Sequence, residues 1–186
     1  MFLFLIPLLL GFTFNAASAF TSTYFHKWGE RRGSIVSVVL RDVLGIPVWT
    51  VGFGMAFLTP SWQFFATSII SQVLGWFLIG GGGAIILAAL FTIRTRSVRP
   101  STRDTLAEDG LYAWVRHPIH SGTLLEFVGL FFIRPTQVVV ITCALGILWV
   151  FIQTWLEERD LLQRMPDYRE YRRRVPLLIP HFKGLK

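Results

Sequence analysis

Two polar stretches carry most of the residues able to do chemistry. The first is Asp104-Thr105-Leu106-Ala107-Glu108-Asp109-Gly110-Leu111-Tyr112-Ala113-Trp114-Val115-Arg116-His117-Pro118-Ile119-His120-Ser121-Gly122. Pro118 suits the first turn of a helix, where a missing N–H is harmless. Free backbone N–H groups there, with Arg116 and His117, could hold an anionic group such as a carboxylate. The plainer reading is an interfacial anchor, with Tyr112 and Trp114 in an aromatic belt and Arg116 on lipid headgroups. The second stretch holds Gln153, Glu157 and Asp160, whose spacing of four and three puts them on one helical face. A carboxylate at a membrane edge is costly without a partner. A cationic ligand is one candidate partner, and an arginine from the first stretch is the other. Glu158 beside them reads as solvated. Glu126 is a third feature: it shares a helical face with Gly122 and Gly129, and so should point into a bundle.

Other chemistries find no support. The single cysteine, Cys143, lies in an apolar run and allows neither an internal disulfide nor a thiolate zinc set. His26 and His181 read as interfacial, and no His/Cys/carboxylate set has metal spacing, so no metal is expected. There is no Gly-x-Ser-x-Gly elbow. Gly80-Gly81-Gly82-Gly83 lacks the Lys and Ser/Thr of a phosphate loop. It reads instead as a place where membrane helices approach closely.

These residues must be positioned by an apolar chain. Of 186 residues, 53% are hydrophobic and 16% charged, against roughly 25% charged in soluble domains. Mean hydropathy is +0.53. Too little polar surface remains to cover a soluble sphere, so the chain must meet lipid. A spanning helix needs about 20 mostly apolar residues. Phe2–Phe20 can span. Residues 43–93 lack Asp, Glu, Lys and Arg, and Thr59-Pro60-Ser61 divides them into helices near 43–59 and 64–93. Residues 118–133 and 136–156, separated by Arg134-Pro135, supply two more. The expectation is an all-α, polytopic membrane protein of about five transmembrane helices with a cytosolic C-terminal cofactor-binding region. Residues 1–93 would be the N-terminal membrane part, with three spans, and 94–186 the catalytic part.

The formal net charge is +7. Its basic residues flank apolar runs and do not interleave with aromatics on a polar surface, so orientation and contact with anionic lipid account for it, and nucleic acid is not an expected partner. With five spans, segments 26–42, 94–117 and 157–186 share one side and hold seventeen of the eighteen Lys and Arg, leaving Arg134 opposite. The positive-inside rule places those segments in the cytosol and the N-terminus outside, or lumenal. Phe2–Leu10 followed by Ala17-Ser18-Ala19 resembles a signal peptide, but it lacks a basic start, and cleavage would invert the charge asymmetry; a retained first helix is expected.

Gly110-Leu111-Tyr112-Ala113-Trp114-Val115-Arg116-His117-Pro118, with Gly122, resembles the core motif of the isoprenylcysteine carboxyl methyltransferase family, to which the phospholipid methyltransferases are related. The second block follows in order: Glu157-Glu158, Tyr168-x-x-Tyr171, Val175-Pro176 and Ile179-Pro180, with His181-Phe182-Lys183-Gly184 at the end. The likeness covers about residues 104–184. It implies S-adenosylmethionine as methyl donor, contacted by Asp104, Thr105, Leu106, Ala107, Tyr112, His117, Pro118, Ile119, His120 and Glu157. The tail 159–180 would fold back over the site. Three positions depart from the family: His120 stands where tyrosine is usual, Gln153 where the prenylcysteine enzymes place a substrate-contacting arginine, and Met165-Pro166 where Phe-Gly is usual.

The resemblance implies methyl transfer to a prenylcysteine carboxylate presented from the membrane. A carboxylate is already ionised at neutral pH, so alignment and removal of water would carry the rate. Glu157 and Arg116 are the expected catalytic residues, Glu157 through its charge toward the cationic donor, and Gln153 the substrate contact. The location would be the endoplasmic reticulum in a eukaryote or the inner membrane in a bacterium. Three alternatives stay open: another membrane-borne acceptor such as a phospholipid amine or small thiol, NADPH-dependent reduction, and a non-catalytic scaffold.

Overall fold

A computed structural model describes residues 2–94 and 106–180 of the chain. Asp104, Thr105 and His181 lie outside the described residues. Within them the protein is helical: α1 (Leu5–Ser18), α2 (Thr21–Trp28), α3 (Glu30–Val38), α4 (Ile46–Leu58), α5 (Ile69–Arg94), α6 (Pro118–Ile133), α7 (Gln137–Arg164) and α8 (Tyr168–Arg174). The only strand-like pairing among the described residues is one antiparallel bridge between Gln63 and Thr136.

Helix boundaries follow the chemistry of single residues. Apolar periodicity begins α6 at Pro118, as expected. The helix expected near 43–59 starts much earlier. Glu30–Leu58 runs as one stretch through a π-helical segment, Val39–Gly45. Pro47 explains that segment. It has no N–H for a helical bond and would clash with the preceding turn. The backbone widens before it, and the Ile46 N–H reaches back five residues to the Arg41 carbonyl. The basic segment 26–42 is therefore largely helix. Helix α7 extends to Arg164, beyond the expected end near 156, and so presents Glu157, Glu158 and Asp160 on a rigid element.

Three helical stretches among the described residues are long and apolar enough to cross a membrane: Glu30–Leu58, Ile69–Ile93 and Gln137–Arg164. Leu5–Ser18 with Thr21–Trp28, bent by 63°, would make a fourth. The expected single span over Phe2–Phe20 thus becomes a bent pair broken at Ala19-Phe20. Helix α6 has 16 residues, about 24 Å at 1.5 Å per residue, which is short of the ~30 Å hydrocarbon core. The count by length is three or four, where the sequence suggested five.

Packing is tightest between α5 and α6. Gly75 and Gly82 on one helix face Gly129 and Gly122 on the other, antiparallel. A Cβ placed on Gly82 would lie 2.5 Å from the Gly122 carbonyl oxygen, and one on Gly122 would lie 2.5 Å from that of Gly82. The second pair is similar: a Cβ on Gly75 would sit 2.8 Å from the Gly129 oxygen. No larger residue fits, so backbones meet directly, as small residues allow in membranes. Of the four consecutive glycines only Gly82 makes this contact; Gly80 and Gly81 face open space. Glu126 borders the same seam, with its Cγ against Gly82. Elsewhere aromatic stacks join the helices. Phe12 of α1 lies on Trp149 of α7 at 4.7 Å, and Phe53 of α4 on Phe127 of α6 at 4.9 Å.

Near the C-terminal end of α7, Asp160 is buried. It accepts from the Ser22 N–H at 2.6 Å and pairs with Arg164 at 2.6 Å. It therefore ties α2 to α7, and its partners are structural.

Candidate active site

The two polar stretches meet. His117 and His120 at the start of α6 face Glu157 near the end of α7. His117 Nδ1 lies 3.6 Å from Glu157 Oε2, and His120 Nε2 lies 3.9 Å from Glu157 Oε1. The two imidazoles stack, 9° from parallel and 5.4 Å apart. Helical spacing of three carries His120 back beside His117, and the antiparallel α6–α7 hairpin brings the end of one helix to the start of the other.

Glu158, expected to be solvated, is buried. It accepts from Arg116 Nε at 2.7 Å and from the Tyr168 hydroxyl at 3.0 Å. Arg172 Nε adds an ion pair at 3.3 Å. Arg116 is thereby taken up inside the protein. Its Nη1 also donates to the carbonyls of Arg172 at 2.8 Å and Val175 at 2.6 Å. These bonds make Arg116 a latch for the tail. Just before the first turn of α6, the backbone N–H groups of Arg116 and His117 donate to Pro176 and Leu177 carbonyls at 2.9 and 3.2 Å. The tail closes over the start of α6 with two further bonds, Ser121 Oγ to the Leu178 carbonyl at 2.7 Å and Tyr171 hydroxyl to the Tyr112 carbonyl at 2.7 Å.

Thr154 Oγ1 donates to the Val150 carbonyl at 2.7 Å and also contacts His120 Nδ1 at 2.8 Å. The other ring nitrogen of His120, Nε2, faces Glu157. Burial lowers the His120 pKa to about 4, against the attraction of Glu157 and with the repulsion of His117. Tyr168 likewise donates to Glu158, so the 3.4 Å contact with His117 Nε2 is donated by His117. Burial opposes a charge on His117, but hydrogen bonds and attraction from Glu157 and Glu158 outweigh it and hold its pKa above the ordinary histidine value. Burial and the Glu158 carboxylate keep the Tyr168 phenol protonated well above its usual range. Burial and the Glu157 charge do the same for Tyr112.

Gln153 lies one turn before Glu157 and is 1% exposed. Its Nε2 donates to Glu157 Oε1 at 2.7 Å, and its Oε1 has no partner. Flipping the amide would set two acceptor oxygens against each other, so this orientation is the stable one. Pro118 is fully buried and Ile119 half-buried in the first turn of α6, while Leu106 and Ala107 are half-buried in an irregular stretch. Glu157 is the open side of the cluster, its side chain 32% exposed where those of His117 and His120 are 8% and 11%. Arg41 of the π-helical segment pairs with its neighbour Asp42 at 2.8 Å.

Sequence spacing alone hid a further grouping. His117, His120 and Glu157 each offer an atom within 4.8 Å of the others, so these three could hold a metal ion. Glu157 belongs to another helix, which is why no metal spacing appeared in the linear sequence. Ligand atoms on tetrahedral zinc stand about 3.3 Å apart, so the side chains would have to draw inward to bind one.

The sequence also matches known proteins. The family described as Phospholipid methyltransferase matches over residues 70–168, which include the whole cluster. A methanethiol S-methyltransferase of Mycobacterium tuberculosis is 34% identical over 122 residues, 59% of this chain and 49% of the relative. The human protein-S-isoprenylcysteine O-methyltransferase is 29% identical over 123 residues, 62% of this chain and 43% of the relative. A methanethiol S-methyltransferase of Crocosphaera subtropica is 28% identical over 140 residues, 67% and 52%. The chain spans about half the length of these curated relatives. No solved structure matches it.

Proposed function

Because this chain belongs to the phospholipid methyltransferase family, we propose that it is an S-adenosylmethionine-dependent methyltransferase acting at the membrane surface on a lipid-borne or lipid-soluble acceptor. The observation that carries this is a buried acceptor without a donor, Gln153 Oε1, beside the half-open carboxylate of Glu157. A buried acceptor without a partner costs about 1–3 kcal/mol. Such a group suits a ligand that brings positive charge and N–H donors, and the methyl donor has both in its sulfonium and its α-ammonium.

Bound there, the donor supplies an electrophilic methyl group. Glu157 would hold its cationic part by charge, and Gln153 Oε1 would accept from its ammonium. Tyr112 and the turn His117–Pro118–Ile119–His120 would wall the site, with the stretch 104–107 completing it. Arg116 would be a positioning residue, holding Glu158 and the tail so that water is kept from the cluster. We place this end of the hairpin in the cytosol, the side that the Lys- and Arg-rich segments are expected to occupy and where the soluble donor is found.

Two acceptors are in view. The sequence resemblance favours a prenylcysteine carboxylate, named in the human relative. A thiol, named in the mycobacterial relative, is favoured by one feature of the site: Arg116 and Arg41 already face Glu158 and Asp42, and His117 lies between Glu157 and Glu158. A carboxylate would arrive beside Glu157 with its obvious counter-ions already engaged.

Purified full-length protein should be stabilised against heat by S-adenosylhomocysteine and not by NADPH. Glu157→Ala should weaken S-adenosylhomocysteine binding about 10- to 100-fold, as expected for a charge-assisted contact of about 1.5–3 kcal/mol. Stabilisation by NADPH alone, or full binding and methyl transfer by Glu157→Ala, would overturn the assignment.

A further inference from the structure

We propose that a basic groove at the C-terminal end of α7 holds the phosphate of an anionic phospholipid headgroup, and so seats the tail on the membrane. This goes beyond the methyl-transfer reading and does not depend on it. The groove has a volume of about 380 Å³ and is lined by Leu162, Arg169, Arg172 and Arg173, with no acid among them. Tyr168 and Tyr171 are 2% and 1% exposed and pin the inner face of α8 to the protein. Arg169 and Arg173, one turn apart, lie on its outer face and are exposed. Glu158 is held by Arg172 at 3.3 Å, and Glu170 lies 4.0 Å from Arg174. Arg169 and Arg173 have no ion-pair partner among the described residues. Like charges at a spacing of four destabilise an isolated helix, and α8, with seven residues, is too short to stand alone. An anion between the two arginines removes their repulsion. Guanidinium groups meet a phosphate with two parallel N–H donors, which makes arginine the suited residue.

Its place on α7 identifies the occupant. Leu148, Ile152, Trp155, Arg159 and Leu162 follow one another at spacings of four and three, and so form one stripe along the helix. Leu148, Ile152 and Trp155 are 57%, 46% and 56% exposed, which marks this stripe as the face that meets lipid. The Arg159 guanidinium lies over the Trp155 ring at 4.6 Å. Such a pair suits the hydrocarbon edge, with the ring at the boundary and the cation among the headgroups. Leu162 is seven residues beyond Trp155, about 10 Å along the helix. The groove therefore opens at the level of the headgroup layer, and the lipid-facing stripe runs straight into it. A soluble anion would need no such continuity. Arg172 belongs both to the groove and to the Glu158 ion pair. A headgroup seated there thus holds the tail closed over the start of α6.

The test uses the full chain in lipid nanodiscs, with timed trypsin cleavage after Arg172 and Arg174 as the measure of tail docking. Three conditions are compared: phosphatidylcholine alone, phosphatidylcholine with phosphatidylglycerol, and phosphatidylcholine with added inorganic phosphate. An arginine brought to an anionic surface is worth a factor of roughly five. Arg169 and Arg173 together should therefore slow cleavage about 25-fold when phosphatidylglycerol is present, and high salt should cancel the effect. The double variant Arg169→Gln, Arg173→Gln leaves the pair between Arg172 and Glu158 in place and should lose most of that protection. Native mass spectrometry in detergent gives a second readout: bound phosphatidylglycerol should be retained by the unsubstituted chain and lost by the variant. Equal protection of the two chains by phosphatidylglycerol would refute the proposal, as would cleavage of the unsubstituted chain that ignores the lipid. Equal protection by inorganic phosphate would assign the groove to a soluble anion and overturn the membrane reading. Failure to bind S-adenosylhomocysteine would remove the methyltransferase assignment and leave this one standing.

Discussion

Replacing Arg116 with alanine should release the tail. The side chain is 9% exposed and holds three acceptors: Glu158 at 2.7 Å, the Arg172 carbonyl at 2.8 Å and the Val175 carbonyl at 2.6 Å. Removing one partner of a buried ion pair costs about 3–5 kcal/mol, mostly because a charge is left behind. Here the loss is smaller. Glu158 keeps the Tyr168 hydroxyl and the half-exposed Arg172, and the two carbonyls lie near water. A working figure is about 2–3 kcal/mol against tail docking, or a rise of roughly 30- to 150-fold in the open population. Helix α8 offers Arg172, Arg173 and Arg174 as exposed trypsin sites. Where opening and closing are faster than cleavage, the cleavage rate follows that population. Timed trypsin digestion of the alanine variant should therefore show cleavage within 169–174 accelerated by that factor, with α5 and α6 intact. Arg116→Lys should restore part of the protection through Glu158 but not the second and third contacts. Equal cleavage rates for Arg116→Ala and the unsubstituted chain would mean that the latch is not what holds the tail.

The seam between α5 and α6 gives a sharper contrast. Gly82→Val or Gly122→Val should destabilise the protein by more than about 2 kcal/mol by forcing the backbones apart, while Gly81→Ala, which meets nothing within 4 Å, should leave thermal unfolding unchanged; equal effects at the two positions would refute the packing. Tail docking should also depend on pH through His117. Its pKa is raised in the folded state, so the stabilisation from protonated His117 is complete below the unfolded value of roughly 6.5 and is lost as pH rises through the higher folded value. Hydrogen exchange at Tyr168–Leu178 should quicken over that alkaline step, and His117→Asn should abolish the step without altering its neighbours.

Periodicity and apolar length made much of the fold legible. Pro118 marked the start of α6, and the two polar stretches were expected to meet at the ends of one hairpin. Less local features were hidden. The π-helical segment before Pro47 depends on a carbonyl five residues back, and nothing in the composition of residues 30–45 separates it from an ordinary loop. Glu158 looked solvated because its neighbour Glu157 occupied the obvious face; its burial depends on Arg116 and Tyr168, forty-two residues before it and ten after. Asp160 shared a face with Glu157 on paper but is captured by Ser22, from a helix whose bend could not be read from hydropathy. The contact of His120 with Thr154 was equally invisible, since it joins two helices across the hairpin. Tetraglycine suggested close approach, yet only Gly82 makes it, because a helix presents one residue of four to a neighbour.

The glycine seam has a mechanical consequence. Helices α5 and α6 meet through backbone at two levels and should behave as a single stiff plank. His117 and His120 ride on that plank, whereas Glu157 rides on α7, which meets α6 through side chains such as Phe127 against Gly146. Sliding is therefore easiest between the histidines and the acid, along the direction that a change in bilayer thickness would drive.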